Sequence, residues 1–331
     1  MGGLIDLNTT EDDETPSSGS LSPSSSSASG LSSASGPGSS VKAELAVRQI
    51  GFKKTADVPF SHFFSFSLDS DPMDSDQTLF HYSLLGLYLI VLPTWISLYF
   101  LQAPYGKHNR PGWGPTVSPP LAWFFMESPT LWLTLLLFPY GQHFSNPKSF
   151  LLISPFLFHY LNRTVLYPLR LWRNKNAQSK GFPVSIALMA FGFNLLNAYL
   201  QARWVSHYKD DYESDVLFWW KFLGGLLIFA VGMRLNVWAD EVLVGLKKQG
   251  GGGYKVPRGG LFELVCCPNY FGEILEWFGW ALMTWSWVGF GFFLYTCANL
   301  VPRARASRHW YLDKFKADFP TNRKAVIPFV Y

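Results

Sequence analysis

A run of about 23 residues, from Leu79 to Leu101, contains no Asp, Glu, Lys or Arg. Such a segment crosses a bilayer as a helix, because about 20 apolar residues rising 1.5 Å each cover the ~30 Å hydrocarbon core. We expect Pro93 to kink this helix without abolishing it. The whole chain is 48% hydrophobic and 15% charged, whereas soluble domains are about 25% charged. We therefore predict an integral membrane protein.

Further apolar segments follow the first one along the chain. They run over residues 131–140, 150–169, 182–205, 216–238, 270–285 and 288–301. The first of these is short for a membrane span. Together with the opening run they predict an all-α integral membrane protein, with seven transmembrane helices in a membrane domain over residues 79–331.

The first 78 residues have a different composition. From Ser17 to Ser40 every residue is Ser, Gly, Ala, Pro or Leu, and the acidic cluster Asp12, Asp13 and Glu14 precedes this stretch. A segment with so little apolar surface cannot offset the entropy lost on ordering. It also lacks the basic start and the continuous apolar core of a signal peptide. We predict that residues 1–78 form a disordered tail.

Basic residues orient the predicted spans. In a seven-span arrangement the loops after the first, third and fifth spans lie on one side, together with the C-terminal tail. These loops carry Lys107, Arg110, Arg170, Arg173, Lys175, Lys180, Lys247, Lys248, Lys255 and Arg258. Lys and Arg accumulate on the cytosolic side of membrane proteins. We therefore predict a multi-pass protein with a cytosolic C-terminus and a luminal N-terminal tail.

Polar residues interrupt the apolar segments, and intramembrane polar groups usually serve a ligand or a cavity. They are Glu127, Tyr160, Arg163, Tyr167, Asn197, Asn236, Asp240, Asn269, Glu273, Glu276 and Tyr311. With the basic loops they suggest an anionic ligand that reaches an apolar cavity. Binding of lipid headgroups alone explains the basic residues equally well.

Motifs of soluble nucleotide-binding and metal-binding proteins are missing. The glycine-rich stretch Gln249–Gly260 fits neither the dinucleotide fingerprint nor the P-loop pattern. Cys266, Cys267 and Cys297 have no metal-ligand spacing and suggest no disulfide framework. We predict no metal site and no nucleic-acid partner.

The chain from the first span onward resembles the steroid 5α-reductase family, and in particular the plant enzymes of brassinosteroid synthesis. Long strings carry this resemblance, among them LAWFFMESPTLWLTLLLFP, FNLLNAYLQARWVSHYKDDYE, PRGGLFELVCCPNYFGEILEWFGWALMTWSW, FFLYTCANLVPRARASRHWYLDKFK and the C-terminal RKAVIPFVY. It implies a seven-helix enzyme of the endoplasmic reticulum membrane. That enzyme uses NADPH to reduce the 4,5 double bond of a 3-oxo-4-ene steroid such as a campest-4-en-3-one.

The resemblance also implies roles for individual residues. Glu127 and Tyr160 match the positions that contact the steroid C3 ketone, where negative charge develops as hydride reaches C5. Glu127 can donate a hydrogen bond only when protonated, a form that an apolar pocket favours. We therefore expect these two residues to polarise the ketone.

The implied cofactor positions fall into three groups. Those that hold or brace the nicotinamide and ribose are Asn236, Asp240, Asn269 and Glu273. Those around the adenine and phosphates are Tyr254, Arg303, Tyr311 and Arg323, with Lys247 where other members often carry Arg. Further contacts, from the same span as Tyr160, are Arg163 and Tyr167. Glu276 and Trp277 are expected to support Glu273.

Three positions depart from the common family pattern. Asn162 replaces a frequent His, Ala239 replaces a frequent Ser, and Trp238 is bulky for its place. Two alternatives also stay open: a related membrane reductase of a polyprenol or a 2-enoyl-CoA, and a noncatalytic lipid-binding protein on the same scaffold. The expected partners are a sterol substrate and membrane lipid, with the protein a monomer.

Overall fold

The computed structural model describes residues 72–173, 181–248 and 254–331, without the side chains of residues 72–74, 247 and 248. Within these ranges the fold is built from ten α-helices. They are α1 Pro72–Leu89, α2 Val91–Phe100, α3 Pro119–Glu127, α4 Pro129–Leu137, α5 Pro147–Leu161, α6 Tyr167–Trp172, α7 Val184–Arg203, α8 Phe218–Lys248, α9 Pro268–Thr284 and α10 Trp287–Phe315. Two short strands, β1 Thr116–Val117 and β2 Phe182–Pro183, pair antiparallel with Thr116 opposite Pro183.

Helices cover each of the predicted apolar segments. In the described part of the chain, four helical stretches are long and apolar enough to cross a membrane: Ser75–Phe100, Pro119–Tyr140, Val184–Tyr208 and Phe218–Leu246. The protein is therefore a helical membrane protein, and the count of seven spans stays a prediction. Residues 1–71 of the predicted disordered tail lie outside the described residues.

Two predicted boundaries differ from the structure. Helix α1 begins at Pro72, so the last residues of the predicted tail are helical. Asp76 in this turn accepts a hydrogen bond from Arg203 at 2.6 Å and ties α1 to α7. The second apolar segment begins at Pro119 rather than at residue 131, because Ser128 keeps helical backbone angles and joins α3 to α4. Glu127 therefore lies within a continuous helical stretch.

Glycines bring α8 and α9 into close backbone contact. A Cβ atom added at Gly232 would lie 2.4 Å from the backbone nitrogen of Glu276, and one at Gly279 would lie 2.5 Å from the backbone oxygen of Gly225. At Gly272 it would lie 2.6 Å from the backbone nitrogen of Asn236. Small residues permit such approach between membrane helices. The polar residues of α8 and α9 consequently face each other at short range.

A π-helical turn, Asn162–Leu166, joins α5 to α6. The N–H of Tyr167 donates to the carbonyl of Asn162, five residues back. Pro168 has no N–H with which to continue the regular α-helical pattern. π-helical turns are frequent at functional sites, and this one places Arg163 in the protein interior with 2% of its side chain exposed.

Candidate active site

Glu127 ends α3 in the interior of the helical domain. Glu127 is 1% exposed, and its Oε2 accepts a hydrogen bond of 3.1 Å from Asn194 Nδ2 on α7. The same Asn194 amide donates to the carbonyl of Met126 at 2.6 Å. The second carboxyl oxygen of Glu127, Oε1, is buried and makes no hydrogen bond to the described residues. Asn194 thus holds one side of the carboxyl group and leaves the other side available to a ligand.

Tyr160 lies near the end of α5 and is 1% exposed. Its hydroxyl accepts a hydrogen bond of 3.2 Å from Asn197 Nδ2 on α7. Residues three apart share one face of a helix, so Asn194 and Asn197 hold Glu127 and Tyr160 beside the same face of α7. The structure therefore brings the two predicted catalytic residues to neighbouring positions.

A buried polar network connects α8, α9 and the π-helical turn. Asn236 Nδ2 donates to Glu273 Oε2 at 3.3 Å and to the backbone oxygen of Asn269 at 3.0 Å. Asn269 Nδ2 donates to Asp240 Oδ1 at 3.2 Å, and Arg163 Nη1 donates to Asp240 Oδ2 at 3.2 Å. Five of the predicted cofactor residues, distant in the sequence, thus form one hydrogen-bonded cluster.

The Arg163 guanidinium packs against two aromatic rings. Its centre lies 4.5 Å from the ring centroid of Trp123 and 4.8 Å from that of Tyr167, a stabilising cation–π arrangement. Nε and Nη2 of Arg163 are buried and donate no hydrogen bond to the described residues. With Oδ1 of Asn269, also buried without such a partner, they offer two donors and one acceptor to a polar ligand.

An apolar cavity of about 450 Å³ lies beside this region. Its walls come from α2, α7 and α10, and it is also lined by Met126, which precedes Glu127. Arg303 lines the cavity too, where its guanidinium donates to Asn299 Oδ1 at 3.0 Å and to the Tyr105 hydroxyl. Arg303 is therefore already engaged by protein groups in this structure.

The remaining predicted cofactor residues lie in the C-terminal part of the fold. Tyr254 packs edge-on against Trp310, with ring centroids 4.6 Å apart. Tyr311 stacks on Phe319 at 5.3 Å. These aromatic contacts place both tyrosines beside the end of α10. The side chain of Lys247 lies outside the described residues.

Arg323 fastens the connector between α8 and α9 to the C-terminal segment. It is 1% exposed and donates to the backbone oxygen of Pro257 and to Glu263 Oε2, both at 2.8 Å. The backbone N–H of Gly259 and the Arg323 guanidinium lower the pKa of Glu263. Glu263 therefore stays ionised near neutral pH. It forms an ion pair with Arg323, the cation that was predicted to lie around the cofactor adenine and phosphates.

Known proteins similar to this chain decide its family. A family model described as 3-oxo-5-alpha-steroid 4-dehydrogenase matches residues 180–331. The chain is 83% identical over 259 residues to the steroid 5-alpha-reductase DET2 of Gossypium hirsutum. The matched region covers 78% of this chain and all of the relative. The chain belongs to the steroid 5α-reductase family. The resemblance predicted from the sequence and the oxidoreductase class that it implied are both confirmed.

Two further relatives show the breadth of this similarity. The steroid 5-alpha-reductase DET2 of Arabidopsis thaliana is 66% identical over 258 residues, 78% of this chain and 98% of the relative. The human 3-oxo-5-alpha-steroid 4-dehydrogenase 1 is 40% identical over 235 residues, 69% of this chain and 86% of the relative. The similarity to the steroid 5α-reductases therefore extends over most of the predicted membrane domain.

The structure accounts for the three departures from the common 5α-reductase pattern. Asn162 Oδ1 accepts a hydrogen bond of 3.0 Å from Arg170 Nη2 and so orients that cation. Ala239 is fully buried in a small apolar cluster with Phe262. Trp238 packs on Phe262 with ring centroids 5.6 Å apart, which fills space beneath the connector. All three residues have structural contacts within this chain.

Several polar contacts of this candidate site were not predicted from the sequence. Asn194 and Trp123 were not recognised as site residues, since their partners Glu127 and Arg163 come from other helices. Glu276, which was expected to support Glu273, also has its Oε1 2.7 Å from His159 Nδ1, a contact that the sequence did not predict. Both of these residues are buried, and no sequence spacing links them.

Proposed function

We propose that the chain reduces the 4,5 double bond of 3-oxo-4-ene steroids, with NADPH as the reductant, to give 5α-3-oxosteroids. The substrate class is inferred from the names of the relatives, several of which are 3-oxo-5-alpha-steroid 4-dehydrogenases. Since the most similar of the cited relatives are plant steroid 5-alpha-reductases, we infer a brassinosteroid precursor such as a campest-4-en-3-one as substrate.

The observation that carries the proposal is the pairing of Glu127 and Tyr160 beside one face of α7. Reduction adds hydride to C5 and a proton to C4, and negative charge develops on the C3 oxygen in between. Hydrogen-bond donors directed at that oxygen stabilise the transition state more than the ground state. The carboxyl group of Glu127 and the hydroxyl of Tyr160 are two such donors, each held on one side by an asparagine.

The size and polarity of the neighbouring cavity suit a sterol. Ligand cavities usually measure about 300–1,000 Å³ and combine apolar walls with a few polar groups. The cavity of about 450 Å³ is lined largely by apolar side chains and reaches Met126, next to the proposed ketone contact. A sterol ring system would pack against these walls and place its ketone end toward Glu127.

The residues of the buried network fit a bound nicotinamide nucleotide. Asn269 Oδ1 could accept a hydrogen bond from the carboxamide, and Arg163 would offer Nε and Nη2 to oxygens of the same cofactor. When bound, NADPH supplies the hydride. The network of Asp240, Asn236 and Glu273 holds Arg163 and Asn269 in place. The residues proposed to surround the adenine and phosphate end are Tyr254, Tyr311, Arg303, Lys247 and, further out, Arg323.

The ion pair of Asp240 gives a first test of this cofactor site. Replacing Asp240 with Asn removes the charge that holds Arg163, so we expect the KM for NADPH to rise about 10-fold or more. Titration of NADPH in steady-state assays measures the change. Glu241→Gln is the matched control. Glu241 is the next residue in the chain, and its carboxylate is 60% exposed and lies 3.7 Å from Arg170. Equal KM values for the two variants would contradict the proposed role of Asp240.

We also propose an endoplasmic reticulum location with the C-terminus in the cytosol. Support comes from the basic residues that collect in alternate loops and in the C-terminal tail. Protease treatment of sealed microsomes tests the orientation, because a C-terminal epitope should be removed while a luminal N-terminal tail is protected. Digestion of the N-terminal tail would contradict the orientation. The monomeric state stays a prediction.

A direct assay tests the whole proposal. Microsomes that contain the full chain are supplied with a labelled 4-en-3-one sterol and either NADPH or NADH, and the 5α-reduced ketone is measured. We expect product with NADPH and much less with NADH. A parallel incubation with a polyprenol and with a 2-enoyl-CoA identifies the alternative substrates. Absence of sterol product with either nucleotide would overturn the proposal.

A further inference from the structure

A hydrogen-bonded chain of buried side chains leads from α9 to Tyr160. Trp280 Nε1 donates to Gln201 Oε1 at 2.9 Å. Gln201 Nε2 donates to Asn197 Oδ1 at 3.1 Å, and Asn197 Nδ2 donates to the Tyr160 hydroxyl at 3.2 Å. All four residues are at most 1% exposed, so water cannot readily substitute for any member. This chain is called the Trp280–Tyr160 relay below.

The chemistry of the relay allows only one direction for its hydrogen bonds. An indole N–H can donate but cannot accept, so it requires the oxygen end of the Gln201 amide. The nitrogen end of Gln201 then faces Asn197 and requires the oxygen of that amide. The Asn197 nitrogen is left to face Tyr160, and it can only donate.

A second contact supports the same orientation of Gln201. Its Nε2 also lies 3.4 Å from the backbone oxygen of Val288, which can only accept. If the Gln201 amide were reversed, its oxygen would face the backbone oxygen of Val288. Its N–H group would then face the indole N–H of Trp280. Both ends of the Gln201 amide therefore specify the same arrangement.

We propose that Trp280, Gln201 and Asn197 are positioning residues that make Tyr160 a hydrogen-bond donor toward the substrate ketone. The inference rests on the proposed function and deepens it. Because Asn197 donates to the Tyr160 oxygen, the hydroxyl hydrogen of Tyr160 has no acceptor at this end and is available to the ligand. The Tyr160 ring is also packed against Phe156 and Trp277, with centroids 4.7 and 5.8 Å away, so the oxygen is held in place.

Two substitutions at Asn197 test the direction of the relay. Asn197→Asp preserves size, and once the new carboxyl group is ionised it puts an acceptor where Tyr160 meets a donor. The tyrosine hydroxyl would then donate to the carboxylate instead of the ketone, so we expect kcat to fall about 100-fold at alkaline pH. Asn197→Ala only removes the contact, and we expect a fall of about 10-fold. A role in packing alone predicts the reverse order, because the alanine variant loses more buried contact.

The pH profile and the KM values separate positioning from general damage. The loss in Asn197→Asp should be greatest at alkaline pH and recover toward acidic pH, since a protonated carboxyl group can again donate to Tyr160. The KM for NADPH should stay within about 3-fold of wild type, because only the donor to the ketone is altered. In a Tyr160→Phe background, Asn197→Asp should cause little further loss.

Two Trp→Phe substitutions, one of them a control, test the Trp280 end of the relay. They provide evidence even if Asn197→Asp fails to fold. Trp280→Phe removes the indole N–H that orients Gln201, and we expect kcat to fall about 5-fold or more. Trp204→Phe is the matched control, since the Trp204 N–H is buried but donates no hydrogen bond to the described residues. Its kcat should stay near the wild-type value.

Two outcomes would overturn the inference in an enzyme that is otherwise active. One is an Asn197→Asp variant that matches or exceeds Asn197→Ala in kcat at every pH. The other is equal kcat for Trp280→Phe and Trp204→Phe. Absence of sterol reduction by the wild-type chain would instead refute the proposed function, so the two failures are distinguishable.

Discussion

Replacing Glu127 with Gln is expected to lower kcat for the 4-en-3-one sterol about 100-fold, the usual cost of weakening a donor to a developing oxyanion. The substitution keeps the size of the side chain and removes the acidic proton. Asn194 still contacts one side of the group, so the helix packing around α3 should be preserved. Steady-state assays in microsomes, with sterol and NADPH varied separately, measure the effect.

The KM for NADPH tells a catalytic role from misfolding. It should change by less than about 3-fold, because a group that acts only in the transition state lowers kcat without weakening binding of the nucleotide. Glu241→Gln, on the exposed side of α8, makes the same chemical change away from the site and should leave kcat unaltered. A parallel loss of kcat and NADPH affinity in Glu127→Gln would mean that the residue has another role.

Replacing Gly232 with Ala should strongly destabilise the helical domain. The added Cβ atom would lie 2.4 Å from the Glu276 nitrogen and 2.5 Å from the Gly272 oxygen, and neither backbone atom can move without separating α8 from α9. Overpacking of a buried contact usually costs about 1–3 kcal/mol. We expect a clearly lower Tm for the detergent-solubilised protein, measured by its thermal unfolding curve, together with loss of reductase activity.

Gly224 provides the matched control on the same helix. A Cβ atom at Gly224 would meet nothing within 4 Å, so Gly224→Ala should keep the wild-type Tm and activity. Because alanine favours a helix more than glycine does, a small increase in stability is also consistent. A Gly232→Ala variant as stable as Gly224→Ala would show that α8 and α9 do not require their close approach.

The glycines of α8 and α9 show why the geometry of the site could not be predicted from the sequence. The apolar segments predicted helices because hydropathy is a local property, and most of each predicted segment is helical. Asn236 and Glu273 were both predicted site residues, but their hydrogen bond depends on the separation and rotation of two helices. That separation is determined by Gly232 and Gly272 as each meets backbone atoms of the opposite helix.

Arg323 gives a second example. Its position in the family motif predicts a place around the cofactor adenine and phosphates, and in the structure its guanidinium contacts Pro257 and Glu263. A sequence motif records which residue type stands at a position and does not record which neighbour uses its charge. The ion pair forms because the C-terminal segment pairs with the chain before α9, through Val265 and Lys324.

The sequence by itself determined the membrane character, the family and the residue types of the site. These follow from local composition and from long matching strings, which need no knowledge of contacts. Only the tertiary structure decided the hydrogen-bond partners. Asn194 and Glu127 are 67 residues apart, and Trp280 and Gln201 are 79 apart, yet each pair is joined by one hydrogen bond. Such bonds require donor and acceptor to lie about 3 Å apart, a distance that is set by how the helices pack.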